Sequence, residues 1–84
     1  MIKYKANIMF DLGIKKVECE RESDHSVFFG KRNERKESQY HKYFDSFKEA
    51  QDFLIARLHR HIYFAKNKIE NLEKDLAEIE ALTE

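Results

Sequence analysis

The sequence predicts an α+β protein: an N-terminal antiparallel β-sheet of three to four strands running as a meander over residues 1–44, then one long C-terminal α-helix over 46–83. Three observations carry this. Residues 2–10 alternate, with Ile2, Tyr4, Ala6, Ile8 and Phe10 on one side and Lys3, Lys5, Asn7 and Met9 on the other, the period of a half-buried strand. Ser46 stands three residues before Glu49, a helix-start signature. From Ile55 onward apolar residues recur in alternating steps of three and four, the heptad seam of a helix that packs on another helix.

Taken in order, the first strand ends at Asp11-Leu12-Gly13, where Gly13 can take the positive φ of a turn. Residues 14–21 form the second strand, with Val17 and Cys19 inward and Lys16, Glu18 and Glu20 outward. Glu22 to Ser26 is a polar turn. Val27-Phe28-Phe29 is a short strand stopped at Gly30, Lys31 to Ser38 a charged loop, and Tyr40 to Phe44 a fourth strand. One face of the resulting sheet is expected to be polar. Asp45 and Ser46 then open the helix: the serine oxygen accepts the free amide of Glu49, and the glutamate reaches back. No proline or glycine follows, and Ala, Leu, Glu, Lys and Arg dominate.

Composition narrows the function classes. The chain has 84 residues, 42% hydrophobic, 38% charged and 13% aromatic, which suits a single small domain with a large surface. Sixteen basic and sixteen acidic residues cancel, against the basic excess of a dedicated nucleic-acid binder. The charges are segregated: Lys31 to Lys68 holds ten Lys or Arg and five acids, and Glu70 to Glu84 holds six acids and one Lys. A lone cysteine, Cys19, forms no intrachain disulfide, and no apolar run approaches a membrane span, so the cytoplasm is the expected compartment.

The helix is the informative element. At ~1.5 Å per residue its expected length is ~55 Å, while a compact chain of this size is only ~30 Å across. The head can shelter the first half, near Phe47, Leu54, Leu58 and Ile62. The seam formed by Ile62, Ala65, Ile69, Leu72, Leu76 and Ile79 needs another cover. A homodimer is the expected answer. Its helices would run antiparallel, so that Lys66 and Lys68 of one copy approach Glu73 and Asp75 of the other. A helical hairpin broken near Asn67 or Asn71 is the alternative.

Off the seam, Phe53, Arg57, Arg60 and Phe64 share a face, flanked by Tyr63; aromatic and arginine side chains of this kind dominate binding surfaces. Together with Arg32, Arg35 and Lys36 of the charged loop they are the expected contacts for a protein partner. His59 and His61, two apart on a helix, point in different directions and make no simple metal site. Cys19 reads as a small core residue, with no histidine tied to it by a motif. Gly-rich phosphate loops, HExxH and GxSxG are all missing from the sequence. The expectation is a non-catalytic protein without cofactor or metal. Nucleic-acid binding through the basic middle, a structural or assembly role, and a small-molecule sponge at the dimer groove are the competing readings.

The strand-rich start and the junction Tyr43-Phe44-Asp45-Ser46-Phe47-Lys48-Glu49-Ala50 resemble small accessory proteins of phages and other mobile elements, some of which inhibit bacterial defence systems, anti-CRISPR proteins among them. The resemblance implies stoichiometric binding as an inhibitor or adaptor in a host cytoplasm. It assigns no site residue.

Overall fold

A computed structural model describes residues 1–83. Six strands precede one helix: β1 Ile2–Asn7, β2 Gly13–Glu18, β3 Arg21–Glu22, β4 Ser26–Phe29, β5 Arg32–Arg35, β6 His41–Phe44 and α1 Phe47–Glu80. The class is α+β with the antiparallel strands first and the single long helix last, as the alternation and the seam indicate.

The strands form two three-stranded sheets rather than one meander, ordered β2-β1-β6 and β3-β4-β5. β1 is central in the first, pairing Ala6 with Ile14 of β2 and with Lys42 of β6. The chain bends from one sheet into the other at Cys19-Glu20, and returns at Lys36, whose carbonyl accepts from Tyr43 N–H at 2.8 Å. The span read as a charged loop, Lys31 to Ser38, contains β5. Gly30 at φ +65° opens a two-residue turn with Lys31, the positive φ that tight hairpins require. Charged β5 is held by its ladder to β4 and by Arg32 lying 5.6 Å from the Phe29 ring.

Stacking gives three layers and two small cores. Ala6 on β1 and Ala50 on α1, both with no exposed surface, let the helix approach the first sheet closely, and Leu54 completes the contact with Ile8, Ile14, Phe44 and Phe53 around it. Between the sheets lie Cys19, Val27 and Tyr43, flanked by Val17 and Phe29. The inward setting of Val17 and Cys19 holds, but they face the second sheet, not the helix.

The polar face expected on β1 is therefore covered. Lys3 is 6% exposed and Lys5 half-buried, because the second sheet and the β6–α1 junction supply their counter-charges. Lys3 pairs with Asp45 and, at 2.9 Å, with Glu22; Lys5 pairs with Glu34 at 2.7 Å. Tyr43 Oη donates to Glu34 at 2.7 Å. All buried side-chain nitrogen and oxygen atoms among the described residues have a hydrogen-bond partner.

Ser46 caps the helix, its Oγ accepting from Glu49 N–H at 3.2 Å, which is the serine half of the expected box. The helix is unbroken through Asn67 and Asn71, so the hairpin alternative does not occur. Thirty-four residues make a rod of about 51 Å. The molecule measures 71 × 24 × 21 Å with a radius of gyration of 20.1 Å, against about 12 Å for a compact chain of this length.

Candidate functional site

The head covers less of the rod than expected. Ala50 and Leu54 are the helix residues buried, while Phe47 and Leu58 are 51% and 45% exposed. Beyond this first stretch the seam is bare. Ile55, Ile62, Ile69, Leu72, Leu76 and Ile79 stand 46–66% exposed, and Ala65 is exposed beside them. A straight helix turns 100° per residue, so a stripe in steps of three and four drifts by about 20° per heptad. The stripe begins to one side of the head, at Ile55, and by Ile79 has wound round to the head's side.

The seam's edges are charged, and their sign changes along the rod. One edge holds His59, Lys66, Glu73 and Glu80; the other holds Leu54, His61, Lys68, Asp75 and, just past the helix end, Leu82. The basic groups lie in the proximal half and the acidic groups in the distal half.

The other expected contacts divide. Arg60, Tyr63 and Phe64 are exposed on the rod, with the Tyr63 and Phe64 rings 5.8 Å apart. Phe53 was expected to be free and is not: its ring packs 5.2 Å from Phe44 in the helix–sheet core, because the helix meets β6 on that side. Arg57 is half-buried at the junction of helix and head. Arg32 and Arg35 are exposed on β5. Lys36 is instead tied at 2.7 Å to Glu22, which also pairs with Lys3 of β1, so its charge is committed to that ion cluster.

That ion cluster is structural in character. Hydrogen bonds from Lys36 and then Lys3 hold the Glu22 carboxyl down to about 2, well below its ordinary 4.5. Asp45 first, then Glu22, raises Lys3 against the opposing effect of burial. Burial pushes Glu34 up, but hydrogen bonds from Lys5 and Tyr43 outweigh it and the net shift is down. Burial and the Glu34 contact push the Tyr43 phenol up. Within the cluster each of these charges answers another. The Cys19 thiol is buried between the sheets, and no group of three or more His, Cys, Asp or Glu among the described residues is placed to hold a metal. No described helix is long and apolar enough to cross a membrane.

One feature of the surface carried no sequence signal that was read as a site. The β1–β2 connection exposes Met9, Phe10 and Leu12, where a turn is ordinarily polar. Phe10 lies 6.0 Å from Tyr40. Ile8, Met9 and Leu12 of this tip line a largely apolar cleft of about 190 Å³ with Leu54, Arg57, Leu58 and His61 of the helix. The alternation over residues 2–10 places Met9 and Phe10 in the first strand, but β1 ends at Asn7; the available clue was Leu12 within the turn Asp11-Leu12-Gly13.

A strand-built head carrying a bare, heptad-patterned rod defines the class of protein by its geometry. Protein-family models, characterised proteins and solved structures offer no match to the chain.

Proposed function

We propose that the chain is a non-catalytic protein-binding module that works as a homodimer joined through its helix. The observation that carries this is the exposed seam: seven large aliphatic side chains from Ile55 to Ile79, each about half open to water, on a helix with no tertiary cover beyond the head. Drying each gains on the order of 1 kcal/mol. A second copy contributes the same again, on the scale of the roughly 4–15 kcal/mol that association costs in lost freedom. Arg60, Tyr63 and Phe64 lie off the seam and stay open in such a dimer, which leaves them to contact a further protein, as an inhibitor or adaptor would.

Light scattering across a concentration series tests the dimer. The expected mass at micromolar concentration is twice the chain's 10.2 kDa. A single-chain mass throughout overturns the reading.

A further inference from the structure

We infer that the second copy lies antiparallel, with its twofold axis at Asn67, and that its C-terminal Leu82 closes the apolar cleft at the β1–β2 tip. The inference rests on the dimer reading above and adds direction, register and a composite site.

The first support is register. Reflected about Asn67, the seam maps onto itself: Ile55 faces Ile79 of the partner copy, Leu58 faces Leu76, Ile62 faces Leu72, and Ala65 faces Ile69. No seam residue is left over, and the small Ala65 meets a β-branched residue beside the axis.

The second support is charge. Antiparallel packing brings each edge of the seam against the same edge of the other copy. Lys66 then meets Glu73, His59 meets Glu80, and His61 meets Asp75. Lys68 meets its own counterpart at the axis, where long flexible stems let two ammonium groups splay. Parallel packing sets each edge against the opposite edge five residues on. It offers Lys68 to Glu73, but it sets Asp75 against Glu80.

The third support comes from the head. Every other position on the Leu54 edge beyond the head is polar, at His61, Lys68 and Asp75, until Leu82, which is 71% exposed. In the antiparallel register Leu82 comes level with Leu54 on the edge that faces the head. Leu54, Arg57, Leu58 and His61 there form one wall of the cleft, and Ile8, Met9 and Leu12 form the other. The partner's leucine meets an apolar socket and its Asp75 meets the His61 imidazole at the rim. In the parallel register Leu82 points past the end of both helices.

Variants with one added cysteine decide the direction, each made with Cys19→Ala so that the added thiol is the chain's only one. L58C and L76C chains are prepared separately, then mixed, allowed to exchange and mildly oxidised. The expected result is a disulfide-linked heterodimer from the mixture and no link in either variant alone, since equivalent positions stand about 27 Å apart along an antiparallel pair. Links in each variant alone overturn the antiparallel inference while leaving the dimer intact. No link anywhere, with a single-chain mass by light scattering, overturns the dimer reading beneath it. The socket is tested by Leu82→Asp, at an exposed position outside the head. The dimer dissociation constant should rise about tenfold, with the head's melting unchanged. An unchanged constant removes Leu82 from the interface.

Discussion

At the scale of single residues, the head is held by charges placed where the strand pattern points outward. Lys3 and Lys5 follow the alternation of β1, yet their face meets the second sheet, and Glu22, Glu34 and Asp45 make that tolerable. This ties the head to pH. Glu22 has a carboxyl near 4.5 in the unfolded chain and about 2 in the folded one. Between those values the unfolded chain binds the proton that the native state refuses, so the contribution is full above about 4.5 and is lost as pH falls toward about 2. Glu34 is shifted in the same direction. Circular dichroism melts should show the midpoint falling through this window. Glu22→Gln should be less stable at neutral pH and show a shallower acid slope; an unchanged slope would mean that Glu22 is not the coupled group.

At the scale of elements, the helix and its point of contact are set by volume. Ala6 and Ala50 meet with no exposed surface, so α1 lies on β1 at the distance two methyl groups allow. Ala50→Leu should push the helix off the sheet and cost about 1–3 kcal/mol, read from urea unfolding of the head; a variant as stable as the parent would show that the contact yields. How the elements were legible follows from the same physics. Strand β1, the cap at Ser46 and the unbroken helix all read directly, because alternation, capping chemistry and heptad spacing are local patterns. Strand β5 did not. Its Arg32-Asn33-Glu34-Arg35 carries no apolar face, and its stability comes from a ladder to β4 and from Arg32 lying over the Phe29 ring of that strand. The division into two sheets was hidden for a related reason: it depends on the bend at Cys19-Glu20 and on ion pairs across it. In the candidate site, the exposed seam follows from its spacing, and Arg60, Tyr63 and Phe64 are exposed off it as expected. Phe53 and Lys36 were misread as free because their partners, Phe44 and Glu22, are close only in three dimensions.

At the scale of the whole molecule, the asymmetry of charge along the rod becomes a statement about partner choice. Reversing Glu73 and Asp75 together to lysine sets basic edges against basic edges in the dimer proposed above. Exposed pairs are each worth only a few tenths of a kcal/mol to about 1 kcal/mol, but the twofold repeats them, so analytical ultracentrifugation should show dissociation strengthened roughly tenfold at low salt and less at high salt. Adding Lys66→Glu, which faces position 73 in that register, should restore part of the association. Failure of that rescue would show that the charges do not choose the partner's direction.

The rod also has a mechanical meaning. Beyond the first few turns its span owes nothing to the head, since Ala50 and Leu54 alone are its buried residues. Reach is therefore a separate, adjustable property: a whole heptad added past Ile62 would keep the stripe in phase and lengthen the arm by about 10 Å without touching either sheet. In the antiparallel pair proposed above, the separation of the two heads is therefore written, residue for residue, in the length of the helix.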